Sequence, residues 1–158
     1  MKICGIDAST KKTGIALLDD GKLIEYRLLD YSRELDLDKR MREMCTSIDE
    51  LLDYFDPDLI ICEDVWVSKN PNTAKILARL GGAVYMWAIL NNINFKFVVP
   101  SAWRSAVGIN ISKQTRVTLK QLSINKVKED YGIEPGEDVC EAILIGASGF
   151  IDDDELFE

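Results

Sequence analysis

Apolar segments at the start of the chain follow the pattern of short strands. Lys2–Asp7 is an apolar run that ends on a carboxylate, and Gly14–Leu18 and Leu23–Leu29 are two more apolar runs. The last two are separated by Asp19-Asp20-Gly21-Lys22, and an Asp-Gly step between apolar runs is a strong local signal for a β-hairpin. The pattern therefore predicts three antiparallel strands.

Residues 37–150 alternate between helical and extended patterns. Apolar residues at helical spacing predict an amphipathic helix over Leu37–Phe55. Leu59–Cys62 is a β-prone run without alternation, as in a strand covered on both faces, and Phe95–Val99 is a further strand. More helices are predicted over Thr73–Asn91, Lys113–Tyr131 and about Gly136–Phe150. This order predicts an α/β fold with a mixed five-stranded sheet and helices on both faces.

The fourth predicted strand returns to the sheet after a helix. A right-handed crossover would pair it in parallel with the first strand. Asp7 and Glu63, which end these two strands, would then lie at the same edge of the sheet. A chain of 158 residues fits one domain. We expect that domain over residues 1–151, followed by an acidic, frayed tail over residues 152–158.

The composition is that of a soluble globular protein. Hydrophobic residues make up 47% of the chain and charged residues 29%. No apolar run reaches the roughly 18 residues expected of a membrane span. The four cysteines have no paired CxxC spacing, which disfavours a zinc site or a disulfide framework. We expect a soluble, reduced, intracellular protein with no membrane partner.

Charge is distributed unevenly along the chain. The net charge is −8, but residues 65–128 contain no Asp or Glu and ten Lys or Arg residues. Such segregation can place a cationic face, suited to nucleic acid, on an acidic protein. Chance clustering of solvated helix faces would give the same pattern. The chain has no histidine, so catalysis would need carboxylates, lysine or a metal.

Four acidic residues lie in or at the ends of apolar segments, where a charged side chain is unfavourable. Asp7 and Glu63 end apolar strands, and Asp138 and Glu141 share one face of an apolar helix at spacing i, i+3. Carboxylates brought together repel one another unless they are protonated or hold a cation. Oxygen-only ligands suit Mg²⁺ or Mn²⁺, and two such ions could support phosphodiester hydrolysis. Taken singly, each acid could instead cap a turn, end a solvated strand or face a helix dipole.

Four segments carry a resemblance to a known family. They are Ile3–Gly14, with Gly5-Ile6-Asp7-Ala8-Ser9-Thr10 and Thr13-Gly14; Ile61–Asn70, with Cys62-Glu63-Asp64 and Lys69-Asn70; Ala106–Gln114, with Val107-Gly108-Ile109; and Glu137–Ala142. In this order and spacing they resemble the motifs of RuvC-type Holliday junction resolvases of the RNase H-like superfamily. The resemblance covers nearly the whole chain.

The resemblance implies a fold and an activity. It implies an RNase H-like nuclease domain that acts as a homodimeric, metal-dependent endonuclease. Such an enzyme nicks two opposed strands of a four-way (Holliday) DNA junction and leaves 5′-phosphate ends. The compact chain suggests the phage-borne branch of the family, and hence the cytoplasm of a bacterial cell or a phage-infected host.

The resemblance also implies roles for individual residues. The catalytic acids that hold the metal would be Asp7, Glu63, Asp138 and Glu141. The metal would be Mg²⁺, with Mn²⁺ able to substitute and two ions in the site. Lys113 would be the catalytic-site lysine beside the scissile phosphate, and Trp66 would stack at the junction centre unless it packs in the core. The expected DNA contacts are Trp66, Lys69, Arg79, Arg104, Lys113, Arg116 and Lys120.

The Thr73–Asn91 helix resembles the dimer helix of the family. Its Gly81-Gly82 pair would allow close backbone approach at a homodimer interface, or close packing on its own sheet. Two positions depart from the family pattern. Glu141 stands where most members have Asp. A family lysine has Trp103 as its nearest counterpart, and Arg104, one place on, is expected to replace it as a phosphate contact.

Other interpretations stay open. The enzyme could be a broader nuclease that cuts flaps and forks as well as four-way junctions. It could be a non-catalytic module that only binds branched DNA. The first motif also resembles the phosphate loop of actin-like ATPases, but those folds close two such domains over a nucleotide and this chain offers only one.

Overall fold

The computed structural model describes residues 1–65 and 70–151. The strands are β1 (Lys2–Asp7), β2 (Lys12–Asp19), β3 (Lys22–Asp30), β4 (Leu59–Glu63) and β5 (Asn94–Val98). The helices are α1 (Leu37–Phe55), α2 (Pro71–Leu90), α3 (Pro100–Ala106), α4 (Arg116–Tyr131) and α5 (Glu137–Ser148). The strands form one sheet in the order β3-β2-β1-β4-β5.

The sheet is mixed, as the sequence predicts. β1, β2 and β3 are antiparallel, and the β2–β3 turn has Asp20 at φ 46° and Gly21 at φ 79°, the positive values that a tight hairpin turn requires. β1, β4 and β5 are parallel. Because Ile6 lies opposite Cys62, Asp7 and Glu63 follow at the same edge of the sheet.

Helices cover both faces of the sheet. On one face α1 and α2 contribute Met44, Ile48, Leu52, Leu80 and Val84 to a buried core with β1, β2 and β4. On the other face α3 and α4 pack around α5, in which every residue from Val139 to Gly146 is buried. The predicted RNase H-like α/β architecture with helices on both faces is confirmed.

Two helical regions differ from the sequence prediction. Residues 100–106 form a helix, α3, that was not predicted, because seven residues are too few to show helical periodicity. The predicted helix Lys113–Tyr131 begins only at Arg116. Lys113 has φ 57°, and the Thr115 hydroxyl caps the helix by accepting a hydrogen bond from the Thr118 N–H at 3.2 Å.

Within the described residues, α2 is long and apolar enough to cross a membrane by length and composition, with a mean hydropathy of 1.2. Core helices of soluble proteins meet the same criterion. α2 packs Leu80, Val84 and Ala88 into the core beside β1 and β4, which is how such a helix behaves on a globular sheet.

Candidate active site

The four predicted acids line one cavity of about 840 Å³. They are Asp7 at the end of β1, Glu63 at the end of β4, and Asp138 and Glu141 in the first turns of α5. Three predicted bases, Arg104, Arg116 and Lys120, line the same cavity. The fold thus brings together acids that lie up to 134 positions apart (141 − 7) in the sequence.

Two glycines allow α5 to reach this edge of the sheet. A Cβ on Gly5 would lie 2.1 Å from the carbonyl oxygen of Ala142, and a Cβ on Gly14 would lie 2.0 Å from that of Asp138. Both distances are far below van der Waals contact, so only glycine lets the helix backbone approach β1 and β2 this closely. The helix therefore presents Asp138 and Glu141 beside Asp7.

The Ser and Thr of the first motif shape the turn after Asp7. The buried Thr13 hydroxyl donates to the Ser9 carbonyl at 2.7 Å and accepts from the Ser9 N–H at 3.1 Å. This pair of hydrogen bonds closes the loop between β1 and β2, and the Tyr31 N–H, just after β3, also donates to the Lys11 carbonyl at 2.8 Å. The motif thus combines a site carboxylate with the residues that hold its loop.

Asp7 lies in a strongly desolvated environment close to other carboxylates. Desolvation raises its pKa well above the ordinary value of 3.8, and the negative charges of Glu63, Glu141 and Asp138 raise it further. Lys120 acts in the opposite direction. Such a shift is the expected result of several carboxylates sharing a partly dry cavity.

Glu63 is held by the unpredicted helix α3. Trp103 is fully buried, and its indole N–H donates to Oε2 of Glu63 at 2.7 Å. Burial raises the pKa of Glu63, while the Trp103 hydrogen bond lowers it; the charge of Glu141 adds to the rise. One carboxylate oxygen of Glu63 is therefore fixed in place by a core side chain.

Glu141 is held by the neighbouring residue of α3. Its side chain is 7% exposed, and Oε1 accepts from Nη2 of Arg104 at 2.6 Å. The Arg104 guanidinium lies 4.4 Å from the centroid of the Trp103 ring. Adjacent residues of one short helix thus reach two different site acids.

The donor set can be tested against a divalent cation. Four carboxylates with no histidine or thiolate ligand are the oxygen donors that Mg²⁺ and Mn²⁺ prefer. Within residues 1–65 and 70–151, no three Asp, Glu, Cys or His side chains are already grouped as a metal site. One oxygen each of Glu63 and Glu141 is bound to Trp103 and Arg104. The four carboxylates are therefore suitable ligands for such a cation. In the absence of a cation, the contacts with Trp103 and Arg104 limit how closely the four side chains approach one another.

The predicted bases divide between the cavity and the outer surface. Arg116 and Lys120 stand in the first turns of α4 and line the cavity, where Lys120 also pairs with Glu137. Lys113 is exposed in the turn before α4 and is not part of the cavity lining. Arg79 is exposed on α2 and likewise lies outside the lining. Trp66 and Lys69 lie outside the described residues.

Two bases of the cavity lining come from the part of the chain that precedes residue 65 and were not predicted. Lys11 and Arg40 line the cavity, and Nη1 of Arg40 donates to the Glu34 carbonyl at 2.6 Å. No local pattern distinguishes either residue, because their position depends on how α1 packs beside the β1–β2 loop. Lys126 and Lys128, from the basic segment, instead pair with Asp130 and Glu134.

Comparison with known proteins identifies the family of this chain. The family model "Crossover junction endodeoxyribonuclease RuvC" matches residues 3–148. RuvC of Caldicellulosiruptor saccharolyticus is 22% identical over 151 residues, which cover 92% of this chain and 89% of the relative. RuvC of Actinobacillus succinogenes is 26% identical over 147 residues, or 90% and 75% of the two chains.

Solved structures show the same fold. T. thermophilus RuvC in complex with Holliday junction substrate is similar with a TM-score of 0.78 at 17% identity, over 95% of this chain and 93% of that one. The yeast mitochondrial Holliday junction resolvase Ydc2 has a TM-score of 0.56 at 17% identity, over 94% and 77%. With the family model matching almost the whole chain, this protein belongs to the RuvC family of crossover junction endodeoxyribonucleases.

Proposed function

We propose that this chain is a metal-dependent endonuclease that resolves four-way DNA junctions by paired phosphodiester hydrolysis and leaves nicks with 5′-phosphates. The observation that carries the proposal is the convergence of Asp7, Glu63, Asp138 and Glu141 on one cavity that Arg104, Arg116 and Lys120 also line. Membership of the RuvC family supports it, as does the fold shared with a protein whose structure contains a Holliday junction.

The four acids would hold two Mg²⁺ ions, with Mn²⁺ able to substitute. When bound, such ions activate a water and stabilise the leaving oxygen of a phosphodiester. Asp7 must be ionised to take part, and its raised pKa makes that step depend on pH. Glu63 offers the oxygen that Trp103 does not engage.

The bases would position the DNA. Arg116 and Lys120 line the cavity beside the acids, where they can contact the phosphates next to the cut. Lys113 would act as the catalytic-site lysine from the exposed turn that leads into α4. The other proposed DNA contacts are Trp66, Lys69, Arg79 and Arg104. Trp66 would stack on bases at the junction centre.

We also propose that the enzyme is a homodimer through α2 and acts in the cytoplasm of a bacterial cell or a phage-infected host. The exposed apolar residues of α2 support the dimer: Tyr85, Met86, Ile89 and Leu90. Gly82 is open outward, whereas a Cβ on Gly81 would lie 3.3 Å from the Phe97 ring. Gly81 thus serves packing on the sheet, and Gly82 leaves room for a second copy. Two-fold symmetry suits a substrate with two opposed strands to cut.

Cleavage of defined substrates tests the proposal. Labelled four-way junction, flap and linear duplex are incubated with Mg²⁺, Mn²⁺ or EDTA and analysed on denaturing gels. We expect paired symmetric nicks on the junction that disappear in EDTA and in Glu63→Gln, while junction binding persists. Glu50→Gln, which removes the same charge from an exposed site on α1, should cut normally.

Each other result has its own meaning. Nicks on flaps and forks as well would make the enzyme a broader branched-DNA nuclease. Binding without cleavage in either metal would favour a non-catalytic module. A chain that neither binds nor cuts the junction would contradict the proposal and point back to the nucleotide-binding alternative.

A further inference from the structure

Arg104 is a base enclosed within the carboxylate cluster. Its side chain is 12% exposed, and its Nη2 lies 2.6 Å from Oε1 of Glu141, which is itself almost fully buried. The guanidinium rests on the ring of Trp103, which in turn donates to Glu63. Arg104 is thereby held against the site acids by a residue of the core.

Arg104 is the base in direct contact with the site acids. The cavity lining contains five carboxylates, the four site acids and Asp64, and five Lys or Arg residues, but among the described residues Arg104 is the base with an ion pair to one of the four site acids. Lys120 lines the same cavity but pairs with Glu137, outside the four. Removing Arg104 would leave Glu141 buried and unpaired, which is costly in a region of low dielectric.

The hydrogen bonding of Arg104 is incomplete. Its Nε is buried and has no hydrogen-bond partner, although a guanidinium presents five N–H donors that carboxylates and phosphates can meet in pairs. Among residues 1–65 and 70–151, the stacking on Trp103 and the hydrogen bond to Glu141 hold the guanidinium and leave Nε without an acceptor. A further acceptor could therefore engage Arg104 if Glu141 released it.

We propose that Arg104 is an internal counter-cation that stabilises the metal-free carboxylate cluster and competes with the divalent ion for Glu141. The inference rests on the metal site of the proposed function. A guanidinium 2.6 Å from Oε1 of Glu141 and a divalent ion on the same carboxylate repel each other, so the two cations compete for Glu141. Binding of the ion displaces Arg104 from Glu141, and the freed guanidinium becomes available to a DNA phosphate.

Metal binding without DNA tests this inference directly. Calorimetric titration of the purified chain with Mn²⁺ gives the affinity, and thermal unfolding in EDTA gives the stability of the metal-free protein. In Arg104→Gln we expect Mn²⁺ to bind about five- to ten-fold more tightly, because a competing charge is gone, and the melting temperature in EDTA to fall by several degrees. A role in folding alone would lower the melting temperature and leave the affinity unchanged.

Control variants test whether the change in Mn²⁺ affinity depends on the contact between Arg104 and Glu141. Lys126→Gln removes a base of α4 that pairs with Asp130, and should leave Mn²⁺ affinity as in the wild type. In a Glu141→Gln background, Arg104→Gln should no longer tighten Mn²⁺ binding, because the contested carboxylate is absent. Arg104→Lys keeps the charge and is the variant to use if Arg104→Gln does not fold. Its weaker hold on Glu141 should raise the affinity less.

The outcomes separate this inference from the proposed function. Unchanged or weaker Mn²⁺ binding by a folded Arg104→Gln protein, beside a wild type that binds the ion, would overturn the counter-cation alone. A wild type that binds no Mn²⁺ and cuts no junction would overturn the metal site as well.

Discussion

Gly14 of β2 lies against the backbone of Asp138 in α5: a Cβ on Gly14 would be 2.0 Å from the Asp138 carbonyl oxygen. The contact is with backbone, so no side chain can move aside to make room. α5 carries two of the four site acids, and this approach sets its distance from the sheet. Gly14, the last residue of the first motif, thereby also positions the last motif, Glu137–Ala142.

Gly14→Ala should therefore destabilise the protein severely. We expect a loss of about 3 kcal/mol in the free energy of unfolding, at the upper end for overpacking a core, measured by urea denaturation. Gly136→Ala is the control, since nothing lies within 4 Å of its added Cβ. A Gly14→Ala protein as stable as Gly136→Ala would show that α5 shifts without cost.

The stability of the metal-free protein should depend on Asp7. Its pKa in the folded chain is raised above 3.8, so at a pH between 3.8 and the raised value the folded state keeps a proton that the unfolded state has released. Stability from this source is complete below the ordinary pKa and is lost as the pH rises through the raised value.

Thermal unfolding in EDTA between about pH 5 and 8 measures this dependence. Wild type should melt at lower temperature as the pH rises, and Asp7→Asn, which stays neutral, should show a flatter profile and a higher melting temperature near pH 7. If the melting temperatures of the two proteins had the same pH dependence, Asp7 would not have the raised pKa on which this prediction depends. Glu50→Gln should follow the wild type.

The salt dependence of junction binding should identify the bases that contact phosphate. Arg116→Ala or Lys120→Ala should weaken binding and lower the slope of log affinity against log salt by about 0.9 per lost contact. Lys126→Ala, at the far end of the same helix and paired with Asp130, should leave the slope unchanged. If the salt slope is unchanged in both Arg116→Ala and Lys120→Ala, these two bases do not contact the DNA phosphates.

Lys113 should influence cleavage more than binding. If its exposed side chain approaches the scissile phosphate from the turn before α4, Lys113→Ala should slow single-turnover cleavage at least about ten-fold, as loss of a group that acts in the transition state does. Junction affinity, measured in EDTA, should change little. A variant that cuts at the wild-type rate would restrict the catalytic role to bases lining the cavity, such as Arg116.

Ile89→Asp should separate the two protomers. Ile89 is 49% exposed on α2, and a buried charge at a subunit interface costs several kcal/mol. Sedimentation should show a monomer in place of a dimer, and junction cuts should become single and unpaired. Leu35→Asp changes a residue that is 90% exposed outside α2 and should stay dimeric. If both variants are dimers, the dimer contact lies away from Ile89. If both are monomers, the proposed dimer through α2 is excluded.

Local patterns were sufficient to predict most of this architecture. The hairpin signal at Asp20-Gly21 and the periodicity of Leu37–Phe55 predict elements that the structure contains with the same bounds or nearly so. Strand order and crossover handedness then place Asp7 beside Glu63. These inferences succeed because side-chain alternation and helical spacing depend only on neighbouring residues.

Only the tertiary structure decided how the site acids are held and that Arg40 joins the predicted bases around them. Trp103 reaches Glu63 across 40 positions and Arg104 reaches Glu141 across 37, both from a helix too short to show periodicity. Arg40 enters the cavity from the acidic half of the chain, while Lys126 of the basic segment points to Asp130. Such contacts depend on how α1, α3 and α5 pack on the sheet, and this packing cannot be predicted from the spacing of residues along the chain.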